Sequence, residues 1–128
     1  MNLLLDTHTF VWWRDSPEKL SVDARAAISL TENEVFLSVV VIWEIQIKLA
    51  IRKIELKSKL GEAIDAERKA NGFRILQVTL EHALQIDKLP MAHKDPFDRM
   101  LIAQAMVDGM TLVSKDSHFL DYGVDLLW

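Results

Sequence analysis

Residues 93–114 read HKDPFDRMLIAQAMVDGMTLVS, a helix and a strand written back to back. Asp95 suits an N-cap. Pro96 suits the first helical position, where its missing N–H is no loss, and Asp98 the third, where a negative charge favours the helix dipole. The following MLIAQAM is nearly all apolar, so this helix is expected to be buried almost all round. Gly109 supplies a stop, and MTLVS is a short apolar run of the kind that forms a buried strand. A buried helix feeding a buried strand is the repeating unit of a parallel sheet.

The same alternation extends outward. NLLL, residues 2–5, reads as a buried strand closing in the polar turn DTHT. SVDARAAISLTE is a helix capped by Ser21, with Ala24, Ala27 and Ile28 at helical spacing. EVFLSV is rich in β-formers, and the chain turns from strand to helix between Ser38 and Val41, after which Ile42, Ile45 and Leu49 follow a helical period. SKLGEAIDAERKANG is a polar amphipathic helix stopped by Asn71 and Gly72. FRILQVT is a weak strand, LEHALQIDKLP a short helix ending before Pro90, and VDLLW a last strand. No repeat or flexible linker interrupts the pattern. Residues 1–128 therefore read as one α/β domain whose parallel sheet is covered on both faces.

Half of the 128 residues are hydrophobic (50%), enough for a real core. The chain has no cysteine, which excludes disulfides and thiolate metal sites and fits a reducing cytoplasm. MNLLLD has no basic n-region and its apolar run stops at Asp6, so it does not read as a signal peptide. No run approaches the roughly 18 uncharged apolar residues of a membrane span. A cytoplasmic protein is expected. The net charge of −4 argues against a charge-driven nucleic-acid binder. It leaves room for an enzyme that meets phosphates through a bound cation and a local basic patch. KLAIRKIELKSK carries Lys48, Arg52, Lys53, Lys57 and Lys59 against Glu55 alone; a solvated helix face is favoured there over a substrate track.

Parallel sheets bind ligands outside the carboxyl ends of their strands, and that is where several acids fall. Asp6 ends the first strand, although it could simply cap a turn with Thr7. Glu44 stands near the start of the helix after FLSV, amid apolar neighbours, where a charge is costly unless paired or metal-bound. Its partner could be a cation or a structural salt bridge to Arg99 or Lys48. Asp98 is in the first turn of a buried helix whose cap Asp95 already provides. Asp116 follows TLVS and could equally cap a helix. Four carboxylates converging would repel unless a divalent ion neutralised them, and oxygen-only ligation suits Mg2+ or Mn2+.

LLLDTHTFVWW, LSVVVIWEIQIK, HKDPFDRMLIAQA and TLVSKDSHF resemble, in order and spacing, the four acidic motifs of PIN-domain ribonucleases. They look most like the bacterial VapC toxins of type II toxin–antitoxin systems. The resemblance runs from residue 3 to about residue 119. It implies a PIN-like three-layer α/β/α sandwich with a central parallel sheet and an acidic quartet of Asp6, Glu44, Asp98 and Asp116. Asp6 and Asp98 would be the main metal ligands, with Glu44 and Asp116 completing the pocket. Ser114 holds the place of a small hydroxyl residue near the site, and Asp95 keeps its capping role. The resemblance further implies Mg2+-dependent endonucleolytic cleavage of RNA (Mn2+ as a possible substitute), leaving a 5′-phosphate and a 3′-hydroxyl. It also implies a cognate antitoxin seated in an apolar groove, and a homodimer.

The remaining candidates are weaker. His8, His82, His93 and His118 form no helical HxxxH pair, so surface or capping roles are expected of them. Phe10, Trp12, Trp13 and Trp43 suit core or dimer packing at least as well as base stacking. Arg99 could pair with an acid or steady a phosphate. An aspartate-nucleophile phosphatase would need a second acid where His8 stands, and a receiver domain would need paired N-terminal acids. The standing alternative is a catalytically silent PIN-like module that binds a partner or nucleic acid.

Overall fold

Leu3, Leu4 and Leu5 are consecutive, and all three are fully buried in the computed structural model, which describes residues 1–128. Successive strand side chains point to opposite faces, so such a run requires cover on both sides of the sheet. This strand, β1 (Asn2–Leu5), is the centre of a five-stranded parallel sheet. Next to it lies β2 (Glu34–Ser38), then the edge strand β3 (Arg74–Leu76); on the other side lie β4 (Thr111–Val113) and β5 (Leu126–Leu127). Leu4 pairs with Phe36 on one side and Leu112 on the other. Helices flank the sheet as an α/β/α sandwich: α1 (Thr7–Asp15), α2 (Val22–Ser29), α3 (Val39–Ala50), α4 (Leu60–Asn71), α5 (Leu80–Gln85) and α6 (Pro96–Asp108). Phe10, Leu37, Ile45, Ile102, Leu112 and Phe119 anchor the core at 1% exposure or less.

Most boundaries follow local chemistry. Ser21 caps α2 by accepting the Ala24 N–H at 3.0 Å. Ser38 makes the abrupt change from β2 to α3 by accepting the Val40 N–H at 3.1 Å. Asp95 caps α6 through the N–H groups of Phe97 and Asp98 at 2.9 and 3.0 Å, with Pro96 in the first position. Gly109 ends that helix at φ 64°, a left-handed conformation that a side chain would strain.

One element departs from the sequence reading. DTHT is not a polar turn closing β1; it opens α1, which runs to Asp15. Thr7, Thr9, Val11, Trp12 and Trp13 each sit roughly 0.5 kcal/mol below alanine in helix propensity, a summed deficit of about 2.5 kcal/mol. Full burial of Phe10 contributes roughly 1.5–3 kcal/mol and the Asp6 cap about 1 more. Tertiary packing outweighs local preference. The last strand is also shorter than VDLLW suggests, with only Leu126 and Leu127 paired.

Candidate active site

The chain winds from β1 through β2 to β3 on one side of the sheet, then crosses to β4 on the other. The order reverses between β1 and β4, and the carboxyl ends of these neighbours open the crevice that such sheets use for ligands. Asp6 lies directly beyond β1, and Ser114 and Asp116 beyond β4. One carboxylate oxygen of Asp6 accepts the Thr9 N–H at 2.9 Å; the other accepts the Ser114 hydroxyl. Ser114 Oγ in turn accepts the Asp116 N–H at 3.0 Å, so a single hydroxyl couples the two strand ends. Asp116 occupies the N-cap position of a 3-10 turn, Ser117–Tyr122, but its side chain makes no capping bond.

Glu44 enters from α3. It is 9% exposed, with Oε1 accepting the Thr7 hydroxyl and Oε2 lying 3.0 Å from Lys48 Nζ. Asp98 enters from the first turn of α6, half-buried, with Oδ2 3.1 Å from His118 Nε2. These four acids line one cleft of about 190 Å³, together with Thr7, His8, Lys48, Asp95, Phe97 and apolar residues. Burial raises the Asp6 pKa, against the lowering effect of its bonds from Ser114 and Thr9. Burial also pushes Asp98 up to about 6; Asp95 and Glu44 add to the rise and His118 opposes it.

The four acids expected from the sequence are thus brought together. No three acids or histidines of the chain stand in a ligating arrangement, however. Each of Asp6, Glu44 and Asp98 is instead held by an internal donor: Ser114, Lys48 with Thr7, and His118 respectively. The donor set still suits a hard divalent ion. It is made of carboxylate oxygens, and those of Asp6 and Asp98 are disfavoured as bare anions where they stand.

Other expectations are corrected by the geometry. Arg99 meets neither an acid nor the cleft: its buried guanidinium donates to the carbonyls of Pro90 at 2.8 Å and His93 at 3.3 Å, bracing the loop before α6. The salt bridge to Glu44 is therefore made by Lys48 alone of the two candidates. His82 is a capping residue but not a surface one; it completes a capping box with Thr79, and its other nitrogen lies 2.7 Å from Asp108. The basic segment does not form one helix face, because α3 ends at Ala50 and Arg52 turns the chain at φ 59°. Trp13 donates to Glu67 at 2.7 Å, while Trp43 is 62% exposed beside Phe97. Thr7 and His118 touch the acids and were not foreseen; neither spacing nor composition marks them.

A parallel α/β/α sandwich with acids gathered at its switch point defines a class, and the comparison of sequences names it. The chain belongs to the PIN-domain family, whose profile matches residues 3–124. It is 30% identical over 122 residues to Ribonuclease VapC22 of Mycobacterium tuberculosis (strain ATCC 25618 / H37Rv), spanning 89% of this chain and 86% of that protein. Among solved structures, VapBC2 from Rickettsia felis bound to a promoter DNA fragment superposes with a TM-score of 0.75 at 16% identity, covering 99% of this chain and 98% of that one. A toxin–antitoxin complex from Klebsiella pneumoniae superposes with a TM-score of 0.60 at 15% identity, covering 98% and 96%. At such identities the structural likeness carries the fold.

Proposed function

We propose that the chain is a Mg2+-dependent endoribonuclease toxin that hydrolyses RNA phosphodiester bonds to 5′-phosphate and 3′-hydroxyl ends. The observation that carries this reading is the convergence of Asp6, Glu44, Asp98 and Asp116, from four separate segments, on one cleft at the switch point. The family and the ribonuclease relative support the same activity. When bound, a divalent cation (Mg2+, or Mn2+ in its place) supplies activation of the attacking water and neutralises charge on the phosphoryl group. Asp6 and Asp98 would hold it, and Glu44 and Asp116 would complete the pocket. Ser114 fixes the orientation of Asp6 while leaving the cap on α1 intact. Asp98, whose pKa burial raises, would take up a cation in competition with its proton, so metal binding should weaken as pH falls.

The partner reading rests on a second feature. An apolar groove of about 520 Å³, lined by Val39, Trp43, Val78, Ile86, Phe97 and Met100 among others, adjoins the acidic cleft and shares Val40 and Phe97 with it. A cognate antitoxin segment of apolar character fits there, in keeping with the toxin–antitoxin complexes that share this fold. We further infer that the chain acts as a homodimer in the cytoplasm, as its family likeness implies. No helix of the chain is long and apolar enough to cross a membrane.

Purified chain incubated with RNA, with Mg2+ or with EDTA, tests the mechanism beside an Asp6→Ala variant. Cleavage is expected to need the metal and to vanish in the variant. Cutting in EDTA, or an Asp6→Ala protein as active as the natural chain, would refute it. A folded natural chain that binds RNA but never cuts it would favour the silent module.

A further inference from the structure

Lys48 is the one lysine or arginine lining the acidic cleft. It follows Glu44 by one helical turn on α3, and helical side chains lean toward the N-terminus of their helix, which carries its ammonium back over Glu44. The side chain remains 27% exposed, so the charge is within reach of an incoming ligand. As a helix-stabilising pair one turn apart and partly open to solvent, Lys48–Glu44 would contribute little. Thr7 already gives Glu44 a buried donor. The charge matters more to what enters the cleft. A phosphodiester brings a further negative charge toward the five carboxylates that line the cleft, and a single divalent cation does not balance them all.

Resting on the nuclease reading above, we propose that Lys48 is the phosphate-contacting cation of the cleft. In the free protein its ammonium pairs with Glu44; with RNA bound it would turn to a non-bridging oxygen of the phosphate, leaving Glu44 free to help hold a divalent ion. A lysine suits this exchange, since its charge is compact and its four-carbon stem can swing between two acceptors.

The test is RNA binding. Anisotropy of a labelled single-stranded RNA is measured with Ca2+ in place of Mg2+, over a range of KCl concentrations, for the natural chain, Lys48→Met, Lys48→Gln, Lys48→Arg and Lys69→Met. Lys69 is an exposed lysine of α4 outside the cleft, so its loss changes net charge equally. Lys48→Met is expected to bind about tenfold more weakly, the worth of one charge-assisted hydrogen bond. Its log–log salt slope should be shallower by about 0.7, one phosphate contact on a single strand. Lys48→Gln, whose amide can still donate to Glu44, should lose as much, and Lys48→Arg should recover most of the affinity. Unchanged affinity and slope in both Lys48→Met and Lys48→Gln overturn the proposal, as does an equal loss in Lys69→Met. Rescue by Lys48→Gln would show a support for Glu44 instead and also overturns it. Failure of the natural chain to bind or cut RNA at all would instead fell the nuclease reading beneath it.

Discussion

Replacing Asp98 by Asn keeps the side chain's shape and an acceptor for His118, but removes a carboxyl that the fold resists ionising. Burial, reinforced by Asp95 and Glu44, pushes its pKa up to about 6 from an ordinary 3.8. As pH rises between those values, the unfolded chain gives up this proton before the folded one does. The unfolded state then binds fewer protons, so the natural protein loses stability across that interval and the variant does not. About two pKa units at about 1.36 kcal/mol each set a ceiling near 3 kcal/mol. Solvent reaches 27% of the side chain, and the α6 dipole favours the charged form, so about 1–2 kcal/mol is the expected net. Urea unfolding in EDTA should find the two proteins alike at pH about 3.5 and Asp98→Asn more stable by that amount at pH about 8. Adding Mg2+ at the higher pH should stabilise the natural chain and leave the variant unmoved, since a ligand stabilises only the state that binds it. A stability difference that does not change with pH, or a variant weaker than the natural chain at pH about 8, would refute the account of Asp98 as a desolvated acid.

Two further expectations concern neighbouring contacts. Ser114→Ala removes a donor that lowers the Asp6 pKa against burial, so the acid limb of the cleavage pH profile should move to higher pH, with Ser114→Thr restoring it. Far from the cleft, Glu67 accepts from Trp13, Arg14 and Asn71; burial raises its pKa, but these bonds together bring it below the usual glutamate value. Glu67→Ala should lower stability by about 3 kcal/mol in thermal or urea unfolding, chiefly through the unpaired Arg14, and in the natural chain this contribution should fade as pH falls below about 4.5.

How far the site could be read in one dimension depends on the range of the interactions that build it. Asp95, Pro96 and Gly109 act within a turn of their own positions, so the start and end of α6 were plain from spacing. So were the Ser21 cap and the stop at Gly72, which is left-handed at φ 66°, whereas the Ser38 cap emerged only in the folded chain. The acids were legible because a parallel sheet places its strand ends together, and each acid lay at such an end or at a helix start. Arg99 shows the opposite case. Beside Asp98 in sequence, it points away from it, because successive helical residues are about 100° apart around the axis. The partners of the acids were equally hidden: His118 reaches Asp98 from a turn 20 residues on, and Thr7 reaches Glu44 across 37.

The α1 segment marks the boundary between the two kinds of information. Hydrophobic alternation, caps and stops suffice for the parallel sandwich and for the positions of Asp6, Glu44, Asp98 and Asp116, because they are local signals repeated along the chain. That Thr7–Asp15 is a helix, that Lys48 holds Glu44, and that Ser114 ties Asp6 to the end of β4 were matters for the folded molecule. Those outcomes depend on Phe10 finding the core and on β1 lying beside β4, contacts between residues far apart in sequence that no window of the chain encodes.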